Sequence, residues 1–224
     1  MAAASSSKKT RPEVFDFAHP HHADKKYEDS PQAKADAAEY GLGYFMQLPE
    51  PPLHHAMLQE FTDSWKATTS PNVFTVRVTH PQTGQPVQFQ VDVPFLRDLF
   101  QFQIGKNFIK NSNGAERLNI GPHFKLLKEQ KILDGLPEEI KKITKMVWFR
   151  LLGHQDRNTQ YTVDLYNSIC ACKAGMGIPD WGTLLIQRLN KCMTQTTSSF
   201  RAVDVLQHII NHKLGLTDEL PDQS

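Results

Sequence analysis

The sequence predicts a predominantly helical α+β domain with one small β-hairpin and a disordered N-terminal arm. Three observations carry that expectation. Between residues 72 and 92 the apolar spacing changes from about 3.6 to about 2 residues and then returns. Residues 161 to 193 are the most apolar long segment and read as two helices joined at Ala174-Gly175-Met176-Gly177-Ile178-Pro179-Asp180. Residues 1–38 are rich in Ser, Lys, Pro, Ala and Asp, with too little apolar surface to offset the entropy of ordering.

The length of 224 residues suits one domain with tails or two small ones, and a single mostly helical unit over residues 39–216 is expected. Residues 217–224 then form a frayed acidic tail. A hydrophobic content of 39% and a charged content of 22% belong to an ordinary soluble globular chain with a substantial core. The net charge of +1 provides no global attraction to nucleic acid or anionic lipid. No run reaches the roughly 18 apolar residues of a membrane helix. The first nine residues have no apolar stretch behind their lysines, so no secretory signal is read, and Glu13 and Asp16 argue against an organelle transit peptide. Cys170, Cys172 and Cys192 lie within apolar helical patterns, as buried free thiols of a reducing, intracellular compartment would.

Along the chain, Val14-Phe15-Asp16-Phe17 is the one apolar piece of the arm, and His19-Pro20-His21-His22 reads as a solvated loop rather than a metal site. Ala33 to Met46 forms a helix interrupted near Gly41 and Gly43. Pro49-Glu50-Pro51-Pro52 is a stop. Leu53 to Lys66 is a helix whose buried stripe is Leu53, Met57, Leu58, Phe61 and Trp65. Phe74, Val76 and Val78 share one strand face, as do Val87, Phe89 and Val91, with turn chemistry from His80 to Pro86 between them. Asp92 caps a short helix that has Pro94 in its first turn and Phe95, Leu96, Leu99 and Phe100 buried.

Lys110 to Gly114 is read as a loop, Leu118 to Pro122 as extended, and Phe124 to Ile132 as a short basic segment ended by Gly135. A helix then runs from Glu138 to Gly153, acidic first and basic after, buried through Ile140, Ile143, Val147 and Leu151. Thr162 caps helix 163–173, with Tyr161 and Tyr166 placed as a staple and Leu165, Ile169 and Cys172 inward; Gly175 stops it. Asp180 caps the next helix, which faces Trp181, Leu184, Leu185, Leu189 and Cys192 inward. Thr194 to Ser199 is a loop, and the last helix runs from Phe200 to Leu214, stopped by Gly215.

The order of these parts carries a resemblance. The step Val91-Asp92-Val93-Pro94-Phe95-Leu96 is followed after a spacer by Trp148-Phe149-Arg150-Leu151-Leu152-Gly153-His154. Then come Asp164-Leu165-Tyr166-Asn167-Ser168-Ile169 and the corner Ala174 to Pro179. Over about residues 50 to 215 this pattern resembles the plant transposon protein family, a plant retrotransposon-associated domain. Gly153-His154 stands where that family has Pro-Thr, and Pro179-Asp180-Trp181 replaces its polar-aliphatic continuation. The resemblance implies a non-catalytic, retrotransposon-derived domain that binds a protein partner or nucleic acid.

No motif contradicts a non-catalytic reading. His208 and His212 have metalloprotease-like spacing, but Ile209 stands where the general base would be, and a surface-edge histidine pair is expected. The cysteines lack zinc-finger spacing, and Gly175-x-Gly177 lacks the Gly-Lys-Ser/Thr ending of a phosphate loop. No retroelement protease, polymerase or zinc-knuckle signature occurs. The alternative is a degenerate metal-dependent nuclease or transposase-like enzyme; against it, Asp92 and Asp180 read as caps and Glu138 and Glu139 as a first helical turn. No cofactor, metal, membrane or small-molecule substrate is inferred. The one candidate contact surface is basic: Lys125, Lys128, Lys131, Lys141, Lys142, Lys145 and Arg150, suited to phosphate contacts without base readout. Glu129, Asp134, Glu138 and Glu139 dilute it, which also fits an ordinary solvated helix face.

Overall fold

A three-stranded antiparallel sheet packs against a helical body in the computed structural model, which describes residues 30–106, 131–132, 138–153, 160–161, 163–173, 175–194, 200 and 202–216. The fold is the mostly helical α+β class expected from the sequence. Residues 1–29, the segments 110–114, 118–122 and 124–130, Thr162, the loop 195–199 and the tail 217–224 lie outside the described residues, as do the side chains of Tyr161 and Tyr166.

Helix α1 spans Pro31–Glu39 and is capped by Ser30, whose Oγ accepts from the Ala33 N–H at 3.1 Å. It lies almost wholly within the segment assigned to the arm, so residues 30–38 correct that boundary. Ala33 and Ala37, four apart, are 1% and 0% exposed. Two methyl groups let this helix lie flush on its neighbour, yet they add little to a count of apolar residues. The helix also ends earlier than expected. Gly41 takes φ +73° against Ile178, and only a single 3-10 turn follows at Phe45–Gln47.

Helix α2 is His55–Ser64, with Met57, Leu58 and Phe61 buried beneath the sheet. Trp65 leaves helical geometry and stacks on Phe74 at 4.6 Å, and the chain enters β1, Lys66–Ala67. Strands β2, Phe74–Thr79, and β3, Pro86–Val91, pair as Phe74↔Val91, Val76↔Phe89 and Val78↔Val87, so the alternation read from the sequence places these six on one face. The added strand β1 pairs Lys66 with Thr75 on the far side of β2. Its two residues are too short to show a period.

Helix α3 is Val93–Phe100, and Asp92 Oδ1 accepts from the Phe95 N–H at 2.8 Å as its cap. Leu96 and Phe100 are buried, while Phe95 and Leu99 are half-buried at the rim. The backbone pair β4, Lys131–Ile132, with β5, Gln160–Tyr161, falls at the end of the expected basic segment. Between them, α4 is Glu138–Met146 and continues as a π-helical turn at Val147–Leu151. Helix α5 is Val163–Lys173, the boundaries expected from sequence. At its end the Gly175 N–H donates to the Cys172 carbonyl and the Met176 N–H to Ala171, with Gly175 at φ +73°.

Helix α6, Trp181–Thr194, packs on α3, and α7, Val203–Leu214, packs on α2 and α3. Nine of the twelve residues of α7 are buried, far more than one stripe, with His212 left exposed. Every helix contributes to one continuous core, with β2 and β3. The centre expected at the α5–α6 pair is therefore shared with α7. Within the pair, Ile169 and Leu185 are both 0% exposed.

Candidate functional site

Three groups of polar side chains are held in or against the core. The first surrounds the start of α6. Asp180 Oδ1 accepts from the Thr183 N–H at 3.1 Å, and its Oδ2 accepts from the Thr183 hydroxyl at 2.7 Å and from Arg97 Nη2 at 2.8 Å. The cap expected from sequence is thus also the anchor of an ion pair to α3. The corner before it is pinned through backbone: the Lys106 N–H donates to the Ile178 carbonyl, and the Asp180 N–H to the Lys106 carbonyl. Gly105 permits this approach, because a Cβ there would stand 2.2 Å from the Pro179 carbonyl oxygen. Trp181 Nε1 donates to the Tyr40 carbonyl at 2.6 Å, tying α6 to the end of α1. A carboxylate engaged by three donors on one side of a helix terminus holds elements together.

The second group lies on α7. Gln207 Oε1 accepts from the His54 N–H at 2.9 Å, and Gln207 Nε2 donates to Asn211 Oδ1 at 2.8 Å. His208 Nε2 is 3.0 Å from the Pro49 carbonyl oxygen. Gln207 and His208 cross-link α7 to the proline-rich entry of α2, and Asn211 holds the Gln207 amide from within the helix. His208 is 9% exposed, which corrects the surface-edge pair expected from its spacing with His212. Four residues place both imidazoles along one side of α7, but the segment before α2 covers the first and leaves the second exposed beside Phe95, 5.6 Å between rings. Lys213 completes that edge, its Nζ 3.7 Å over the Phe95 ring. Burial pushes the half-buried Asp204 carboxyl up, opposed by the Arg150 charge, the Val205 N–H and His208.

The third group is the thiols. None of the three cysteines is in a disulfide; Cys170 and Cys192 are buried and Cys172 half-buried. Burial pushes Cys172 up to about 11, with Glu39 adding to the rise and Lys173 opposing it. It pushes Cys192 up to about 11 as well, against Arg188 and Lys191. A thiol in that range carries almost no thiolate near neutral pH, which is the wrong setting for a nucleophile. Among the described residues, no three His, Cys, Asp or Glu side chains gather as metal ligands.

Of the basic residues, Lys141, Lys142 and Lys145 lie on one side of α4, away from the buried Ile140, Ile143 and Thr144. Lys141 Nζ is 3.8 Å from the exposed Glu138 Oε2, a solvent-screened pair of small energetic weight. Arg150 sits in the π-turn beyond them, half-buried, with its charge acting on Asp204. Lys131 is in β4, and Lys125 and Lys128 lie outside the described residues.

Arg97, Arg188, Gln207 and Asn211 belong to no motif in the sequence. Arg188 Nε donates to the Leu152 carbonyl at 3.0 Å, closing the end of the π-turn, and burial pulls its guanidinium below the usual range. Gln207 and Asn211, four apart within an otherwise apolar helix, were the available signal.

No protein-family model, curated protein or solved structure matches this chain. Among the described residues, no helix is long and apolar enough to cross a membrane.

Proposed function

We propose that this chain is a non-catalytic, retrotransposon-derived plant domain that docks on nucleic-acid backbone through the outer face of α4. The observation that carries this reading is the clustering of Lys141, Lys142 and Lys145 on the side of α4 opposite its buried stripe. Flexible ammonium groups in a row suit phosphates and carry no base readout. The non-catalytic part draws support from the engagement of Asp180, Gln207 and Asn211 in caps and cross-links, and from the raised thiols. Cysteines held as thiols rather than disulfides agree with a reducing intracellular compartment. The origin rests on the sequence resemblance, and flanking repeats or a neighbouring polymerase frame in the genome would test it.

Binding is tested by titrating a labelled duplex at two salt concentrations. Each neutralised phosphate contributes about 0.9 to the log–log salt slope, so three lysines weaken binding roughly 40-fold between 50 and 200 mM salt. Lys141→Glu/Lys142→Glu/Lys145→Glu should abolish both the binding and the slope without changing the melting temperature. Absence of binding by the wild type at low salt removes nucleic acid and leaves a protein partner. Nicking of DNA with Mg²⁺ or Mn²⁺ by the purified chain overturns the non-catalytic reading.

A further inference from the structure

We propose that β3 is a self-association edge: two copies of this chain join β3 to β3, antiparallel, about a two-fold axis at Phe89, forming one six-stranded sheet. The strand reads Val87-Gln88-Phe89-Gln90-Val91, the same in both directions. About an axis at Phe89, each Gln88 meets Gln90 of the second copy, each Val87 meets Val91, and Phe89 meets itself. Like therefore pairs with like on both faces. A slip of one residue would set glutamine against the apolar face.

The backbone is set up for this register. In an antiparallel ladder, hydrogen-bonded pairs alternate with pairs whose groups point away from each other. The Arg77 N–H donates to Ser64 Oγ at 2.8 Å, and that hydroxyl lies 2.8 Å from the Arg77 carbonyl oxygen. The Thr79 N–H turns to Glu60. Beyond them, the His80 N–H donates to the Gln85 carbonyl at 2.9 Å and closes the hairpin. Arg77 and Thr79 thus face away from β3, which makes Arg77↔Gln88 a non-hydrogen-bonded pair, and Thr75↔Gln90 follows by alternation. The N–H and C=O groups of Gln88 and Gln90 consequently point out of the sheet, where no further strand lies among the described residues. In the two-fold pairing these are the residues that exchange main-chain bonds, four in all. Phe89 and Val87 fall in the narrow pairs, where opposing side chains come closest.

Two further features favour a second copy as the occupant. Edge strands are commonly guarded by charge, whereas β3 holds no charged side chain to repel its twin. Its apolar face is also incompletely covered. Phe74, Val76 and Val78 of β2 are at most 4% exposed, while Val87 and Phe89 of β3 are only half-buried. A closed, self-complementary contact of this kind is the usual form of a two-fold dimer interface.

Sedimentation velocity across about 1 to 300 µM, the range in which so small an interface associates, tests the proposal. The wild type should pass from monomer to dimer with rising concentration. Gln88→Lys/Gln90→Lys sets lysines opposite one another across the axis and should weaken association at least tenfold. Gln88→Pro removes an outward N–H that the β2–β3 ladder does not use, and should do the same. Both positions are exposed, so circular dichroism of both variants should match the wild type. Mixing the lysine variant with Gln88→Glu/Gln90→Glu should restore dimers. A wild type that stays monomeric throughout overturns the proposal, and so does a dimer that both variants leave intact.

Discussion

Replacing Asp180 with alanine removes three interactions at one helix terminus, and the two that weigh most, the cap on the Thr183 N–H and the Arg97 bond, can be sized from the geometry. Loss of the cap on the Thr183 N–H costs about 1 kcal/mol. The Arg97 contact is a 2.8 Å charge-assisted bond between side chains 25% and 11% exposed. Allowing for that partial solvent screening, it contributes about 1.5 to 2 kcal/mol. Among the described residues Arg97 Nε has no hydrogen-bond partner, so there the guanidinium relies on Asp180. The total is about 3 kcal/mol, which lowers the melting temperature of a domain this size by about 6 to 12 °C. Asp180→Asn keeps an oxygen for the Thr183 N–H but sets an NH2 where Oδ2 accepts from Arg97 and the Thr183 hydroxyl, so it should spare only the cap's contribution of about 1 kcal/mol. Urea titrations at constant m-value give both numbers, and the double cycle with Arg97→Met isolates the pair. If Asp180→Ala melts within error of the wild type, or if Asn is as damaging as Ala, the assignment of cap and anchor to one carboxylate is wrong.

Two other perturbations follow from burial. Ile169→Asp or Leu185→Asp places an unpaired charge at a position 0% exposed, and should abolish the cooperative transition seen by circular dichroism; melting near the wild-type temperature would move the core elsewhere. For the thiols, the folded state holds Cys172 and Cys192 at about 11 against an ordinary 9.0, so the unfolded chain loses those protons first. Their contribution is fully present below pH 9 and is lost as pH rises to about 11. Denaturant midpoints should fall across that window, and less steeply in Cys172→Ala/Cys192→Ala; an identical slope in the variant would refute the assignment.

What was legible in the sequence was local. Asp92 and Asp180 as caps, Gly175 and Gly215 as stops, and the limits of α5 follow from the stereochemistry of a few neighbouring residues. The hairpin register follows from a period of two. The lysine face was legible in the same way, since Lys141, Lys142 and Lys145 fall together at helical spacing. The misses have physical causes as well. Strands β1, β4 and β5 have two residues each, too few for any periodicity. Helix α1 was expected from Ala33, but it starts at Pro31 within the arm and its buried residues are alanines, which weigh little in composition. The π-turn after α4 leaves the apolar pattern continuous, so Val147 to Leu151 reads as ordinary helix.

By itself, then, the sequence determined the class of fold, most of the helices and where they stop, because those depend on backbone stereochemistry and on which residues must leave water. Only the tertiary structure decided what became of the polar side chains. Arg97 and Asp180 are 83 residues apart, and His208 and Pro49 are 159 apart. No local rule predicts such partners, since burial of each depends on which distant segment lies over it. That is why His208 is enclosed and His212 exposed on one helix, and why α7, rather than the α5–α6 pair alone, is enclosed at the centre of the core.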